Sequence, residues 1–302
     1  MAITIDYDST PMLSLEHVRG FVAVAEEAHF GRAARRLQMT QPPLSRQIQR
    51  LERDVGVRLL DRTQRGVALT PAGLAFLEEA RRLLALANAA PDTARRVAAG
   101  RAGTVCVGFT ATAGFGVLGA LVTRIEDALP DVELVLSELV SAVQFDRLRS
   151  GALDLALARP PFDTEEFASR LVHREPLVAA LPAAHPLAEE TGEMPVERLD
   201  GEALLLYSAD QAGYFADLTA RVLATVNHTS THFLTQVHTM VALVAAGRGV
   251  ALVPASATRL RFDGVRYRPL AGLPADPVEL HAVWRRSAVN PALLNVIELL
   301  DA

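Results

Sequence analysis

Residues 30–52 read FGRAARRLQMTQPPLSRQIQRLE. The stretch has the pattern of a helix, a short turn and a second helix. Ala33, Ala34 and Leu37 give the first helix an apolar stripe. Gln38, Met39 and Thr40 supply the turn. The second helix opens at Gln41 with Pro42 and Pro43, residues tolerated only in a first helical turn, where the backbone N–H has no helical partner to lose. Leu44, Ile48 and Leu51 then recur at steps of four and three and mark a buried face. Gln41, Ser45, Arg46, Gln49 and Arg50 fall on the other faces. This is a helix-turn-helix whose second helix exposes donors suited to base edges and phosphates.

An ordinary pair of arginine-rich surface helices would share that periodicity, so local charge carries the distinction. Between His29 and Gly66 stand nine arginines against Glu52, Asp54 and Asp61, a net of +6 within a chain of net charge −5. The positive charge is concentrated here and the remainder is acidic, which is an electrostatic footprint for phosphate. All 30 basic residues are arginine.

Downstream, Gly56 breaks the helix, and residues 61–69, DRTQRGVAL, read as two short strands around a turn, with Gly66 supplying a positive φ. Arg62 and Arg65 sit on this wing, within reach of phosphates or the minor groove. Residues 12–71 carry AxxLxxxQPPLSRQIxxLE, then GxxLLDR and LTPAG, and on these motifs the segment resembles the amino-terminal domain of LysR-type transcriptional regulators. The resemblance implies that Gln41, Pro42, Ser45 and Arg46 contact the groove and that Arg62 and Arg65 are wing contacts. Arg50 stands as a phosphate contact or a solvated charge.

Thr70 is placed as an N-cap with Pro71 at the first helical position. Leu74, Leu77, Leu84 and Ala87 then share a stripe that Ala80 widens. A stripe without a partner in its own domain is expected to pair with another subunit, the alternative being packing against the DNA-binding domain. The resemblance implies a linker helix that dimerises antiparallel, and a dimer of dimers. Pro91 is expected to kink or interrupt it, and Gly100 and Gly103 to end it.

From Gly103 the pattern alternates. Strands are expected at 104–109, 132–138, 153–158, 177–181, 203–206, 231–237, 250–253 and 278–284. Helices fall near 116–129, 143–150, 195–199, 212–226, 241–246 and 291–300. The spacing implies parallel βαβ units and an α/β fold. Two such lobes resemble the type 2 periplasmic-binding-protein fold, as the family's effector domain does. The expected organisation is a disordered tail at 1–11, a winged helix-turn-helix domain at 12–69, a linker and dimerisation helix at 70–100, and an effector-binding domain at 101–302. In the last, lobe I comprises 101–173 and 278–302, and lobe II comprises 174–277.

Ends of strands that feed helix starts are natural anion sites, because free backbone N–H groups converge there. Thr110 and Thr112 follow the first strand, Ser141 follows the second, and Arg159 closes the third, where its guanidinium can pair with a carboxylate. The competing readings are helix N-caps for Thr112 and Ser141 and a surface ion pair for Arg159. The stretches VGFTATAGFG, LDLALARPP and VALVAAGRGVALVPAS resemble the subgroup that senses aromatic-degradation metabolites of the muconate or benzoate type. That resemblance adds Phe215 to Thr112, Ser141 and Arg159 as effector contacts. It implies a small carboxylate effector, aromatic or unsaturated, that shifts the subunits and so changes DNA bending and contact with RNA polymerase.

Other classes fit poorly. The one cysteine, Cys106, excludes a disulfide framework within the chain and is expected in a reducing cytoplasm. There is no transmembrane run, and residues 1–11, MAITIDYDSTP, lack the basic-then-apolar order of a signal peptide. No GxSxG, HExxH or Walker loop points to an enzyme. His228 and His232 are four apart, but no acidic or cysteine ligand adjoins them, so neither a metal nor a cofactor is expected. A solute-binding protein would use the two lobes but has no use for residues 30–66.

Overall fold

The computed structural model describes residues 13–63 and 66–301. The chain forms two compact units that divide between Arg95 and Arg96. The expected tail at 1–11 lies outside the described residues.

In the first unit, helix α1 (Leu15–Glu27) precedes α2 (Phe30–Arg36) and α3 (Gln41–Val55). The imidazole of His29 caps α2, its Nδ1 accepting the backbone N–H groups of Gly31 and Arg32 at 3.0 and 3.3 Å. Gly56 ends α3 at φ 83°, a conformation that costs a side-chain-free residue little. Leu44, Ile48 and Leu51 are fully buried and pack with Phe21 of α1. Strands β1 (Leu60–Thr63) and β2 (Gly66–Leu69) form an antiparallel hairpin, the wing. The carboxylate of Glu52 on α3 accepts the N–H groups of Leu59 at 2.8 Å and Leu60 at 3.1 Å, tying α3 to the start of the wing.

Helix α4 (Pro71–Ala98) follows, with the Thr70 hydroxyl accepting the N–H of Gly73. It runs on through Pro91, so of the expected kink or interruption the interruption does not occur. A proline removes a single helical hydrogen bond, and the surrounding residues, LALANAAPDTARRVA, are mostly strong helix formers. The expected stripe also divides. Leu77 and Ala80 are buried in this unit's core, Leu84 packs against it and Ala87 is half-buried, whereas Leu74 is exposed, as are Leu83 and Leu86 off the stripe.

The second unit is built on two mixed sheets. Strands β3 (Ala102–Phe109), β4 (Asp131–Glu138), β5 (Leu155–Ala158) and β6 (Phe167–Glu175) come first, with helices α5 (Ala111–Gly114), α6 (Leu118–Ala128) and α7 (Ser141–Ser150). The chain then enters the second sheet with β7 (Leu177–Pro182), β8 (Met194–Pro195), β9 (Ala203–Tyr207), β10 (Thr229–Leu234), β11 (Val250–Pro254) and β12 (Val265–Ala271). Helices α8 (Gly213–Val222) and α9 (Val237–Ala245) accompany it. The chain returns with β13 (Val278–Arg285) and α10 (Pro291–Glu298). The first sheet has the order β4-β3-β5-β13-β6 and the second β10-β9-β11-β7-β12-β8. Two crossings join them, at Pro176 and between Ala271 and Val278.

The pairing is not wholly parallel as the spacing implied. β13 runs antiparallel to β5 and β6, and β7 antiparallel to β11 and β12, because each follows a crossing rather than a helix. Three strands, β6, β8 and β12, escaped the sequence reading. β6 (FASRLVHRE) and β12 (VRYRPLA) interleave arginine with apolar residues, which reads as loop when the buried face is narrow.

The Glu52 bonds give a direct test. Replacing Glu52 with Ala leaves two part-buried N–H groups unsatisfied and should destabilise the unit by about 1–3 kcal/mol in urea unfolding. Glu52→Gln retains an acceptor and should lose less, and equal losses would refute the account.

Candidate functional site

Two surfaces bring the singled-out residues together, one in each unit. On α3 of the first unit, Gln41, Pro42, Arg46 and Arg50 are exposed and Ser45 is half-buried. Arg62 lies on β1, and Arg65 falls outside the described residues. The arginines sort by whether an acid already holds them. Arg32 pairs with Glu27, Arg36 with Glu26 at 2.8 Å, and Arg81 with Glu26 at 2.9 Å. Hydrogen bonds from Arg81 and then Arg36 hold the Glu26 carboxyl below the usual carboxylate range. Gln47 is likewise engaged, donating to Glu16 at 2.6 Å. Arg35, Arg46, Arg50, Arg53 and Arg58 are exposed with no acidic partner among the described residues. The sequence reading did not single out Arg35, Arg53 and Arg58 as contacts, since only the tertiary pairing separates them from Arg32 and Arg36.

In the second unit a cavity of about 550 Å³ opens between the two sheets and is lined by Thr110, Thr112, Ser141, Arg159 and Phe215. The first residues of α7, α8 and α9 also line it. The residues preceding these helices, Val140, Ala212 and Gln236, make no side-chain cap bond. Three sets of helix-terminal N–H groups, with their partial positive charge, therefore border one cavity.

Arg159 is the centre of this arrangement. It is 3% exposed, so the surface ion pair does not hold. Its Nη1 donates to the carbonyl of Glu279 at 2.6 Å and its Nη2 to the Thr112 hydroxyl at 3.0 Å. The Glu175 carboxylate stands 3.5 Å from Nη2. The guanidinium lies 4.7 Å from the ring centre of Phe215, which stacks in turn on Tyr207 at 4.8 Å. Its backbone N–H donates to the Ser141 hydroxyl at 3.1 Å. Burial pulls the guanidinium pKa below its ordinary value, and Glu175 opposes the shift. The Nε atom is buried without a partner among the described residues.

The N-cap readings fail for Thr112 and Ser141. Thr112 sits inside α5, whose N-cap is Thr110, and Ser141 is the first residue of α7 after its N-cap Val140. The Thr110 and Thr112 hydroxyls are 3.2 Å apart.

The sequence reading missed Glu175, Tyr214 and Glu279. Glu175 ends the unrecognised strand β6 and also accepts the N–H of Ser256 at 2.6 Å. It lines a second cavity, of about 520 Å³, with His173, Ser256 and Arg259. The Tyr214 hydroxyl accepts the N–H of Glu279 at 2.7 Å and donates to the carbonyl of Pro277 at 3.2 Å, and burial raises its pKa. Arg159, Glu175, Tyr214 and Glu279 thus grip both crossings between the sheets. Among the described residues no three metal-ligating side chains converge, and no helix is long and apolar enough to cross a membrane.

Residues 15–74 match the model of the bacterial regulatory helix-turn-helix protein, lysR family, and residues 98–302 match the LysR substrate binding domain. The HTH-type transcriptional regulator IlvR of Caulobacter vibrioides is 38% identical over 292 residues, which cover 95% of this chain and 97% of that one. The probable cat1 operon transcriptional activator of Acinetobacter lwoffii is 37% identical over 262 residues, covering 86% of each. The crystal structure of full-length CbnR with its target DNA aligns at a TM-score of 0.82 and 27% identity, over 96% of this chain and 99% of that one.

Removing one member of the Arg159–Glu175 pair strands a buried charge. Arg159→Met should cost about 3–5 kcal/mol in urea unfolding, and adding Glu175→Met should restore much of it. Losses that simply add would show the two charges to be uncoupled.

Proposed function

The chain belongs to the LysR family of bacterial DNA-binding transcriptional regulators, and on that premise we propose that its effector is a small carboxylate, aromatic or unsaturated, held in the 550 Å³ cavity. The observation that carries the reading is the buried, partnerless Nε of Arg159, beside two hydroxyls and three uncapped helix ends. A carboxylate offers about four acceptor sites for donors of these kinds. Thr112 and Ser141 orient it, Thr110 supports Thr112, and the Phe215 face excludes water from one side. Because Arg159 also holds both crossings, a ligand that engages it favours one angle between the sheets over another.

In this reading residues 12–69 bind DNA, 70–100 form the linker and 101–302 bind the effector. Gln41, Pro42, Ser45 and Arg46 enter the groove, Arg62 and Arg65 contact DNA from the wing, and Arg50 touches phosphate. The exposed Leu74, Leu83 and Leu86 of α4 support a homo-oligomer, built as a dimer of dimers through the linker helices. The regulator works in the cytoplasm, and effector binding alters promoter DNA and its contact with RNA polymerase.

Footprinting of the full chain on the DNA upstream of its gene, with and without a panel of aromatic and unsaturated acids, tests the whole reading. The protected site should shorten or move with one acid. A site unmoved by every acid would leave a DNA-binding regulator that answers another metabolite or none.

The two classes of arginine separate in the same assay. Arg46→Ala should weaken the specific site by about 1–3 kcal/mol and spare random DNA, as loss of a base contact does. Arg53→Ala should weaken both equally and reduce the salt slope by about one. The reverse pattern would exchange their roles.

A further inference from the structure

The cavity that holds Arg159 has an uneven charge distribution. Arg159 is the only basic residue among those lining it, and Glu175 already faces that charge. Two acidic residues complete the lining, Glu138 at the end of β4 and Asp210 in the loop before α8. Both are exposed, and neither carboxylate has a hydrogen-bond or ion-pair partner among the described residues. Burial orders the site: the cation stands at the floor and the two free acids at the mouth, one contributed from each sheet's side. Leu139, Val143, Phe145 and Pro161 add apolar surface to the lining, beside the polar Gln211, Thr235 and Gln236.

A ligand carboxylate anchored at the floor leaves its other end among the mouth acids. A second carboxylate there meets two like charges, with no basic residue of the lining to receive it. A cationic end meets two opposite charges that no side chain among the described residues neutralises. An amino group directly beside the carboxylate would lie against the Arg159 guanidinium, so the two ligand charges need a spacer, which the apolar surface of the lining accommodates.

We propose that the effector is a zwitterion, a monocarboxylate carrying a cationic nitrogen at its far end across an apolar spacer, and that Glu138 and Asp210 select it against dicarboxylates. This rests on the reading of Arg159 as the carboxylate anchor. The mouth residues discriminate between ligand classes, and the floor residues supply the common attachment.

Calorimetry of the full chain at neutral pH with two matched series tests it. One series is para-methylbenzoate, para-(aminomethyl)benzoate and terephthalate; the other is hexanoate, ε-aminohexanoate and adipate. In at least one series the ammonium-ended acid should bind about tenfold tighter than its neutral counterpart, and the dianion weakest, the size expected of one partly screened charge contact. The preference should shrink at high salt. In Glu138→Gln/Asp210→Asn the gap between the ammonium-ended acid and its neutral counterpart should close. A dianion that binds as tightly as the neutral acid, or an ammonium that brings no gain, overturns the zwitterion and leaves the carboxylate anchor standing. A preference that survives in the double variant overturns the role of the two acids. Absence of binding by every member of both series removes the anchor and the zwitterion together.

Discussion

A guanidinium with almost no access to water organises the larger unit. Arg159 closes a central strand of the first sheet, yet its contacts reach both segments by which the chain passes to the second sheet and returns. It also shapes the cavity floor and carries the face of an aromatic ring from α8. A buried arginine is tolerated only if nearly all its donors are met, and the positions of Thr112, Glu175 and the Glu279 carbonyl follow from that requirement.

Such a centre is a costly way to hold two sheets together, since apolar residues of similar volume often stabilise as well or better than a buried ion pair. Arg159 borders one cavity while its counterion Glu175 borders a second.

In the smaller unit the controlling fact is subtraction. Nine arginines crowd one segment, but Glu26 and Glu27 on α1, the former shared with Arg81 of α4, neutralise part of that field. Among the described residues, those of the nine without an acidic partner lie on and around α3, which turns a diffuse basic segment into a directed surface. Glu52, although acidic and within this segment, serves the backbone of the wing instead of any arginine.

The sequence alone was enough for the helix-turn-helix, because α3 carries its own signals: prolines in its first turn, an apolar residue at every third or fourth place, and a terminal glycine. It was also enough to place Thr112, Ser141 and Arg159 at the ends of strands, since short apolar runs such as LALA stand out against helical periodicity. Tertiary structure decided the rest. The strands β6 and β12 are half polar, so their place in the sheets depends on neighbours that lie far along the chain. The partner of Arg159 could not be read at all, because Glu175 ends one of those strands, sixteen residues on in a segment with no local pattern to mark it. The division of arginines into paired and unpaired is likewise a property of packed helices. Local periodicity reports which face of an element is buried; only the folded chain reports what that face, or its opposite, will meet.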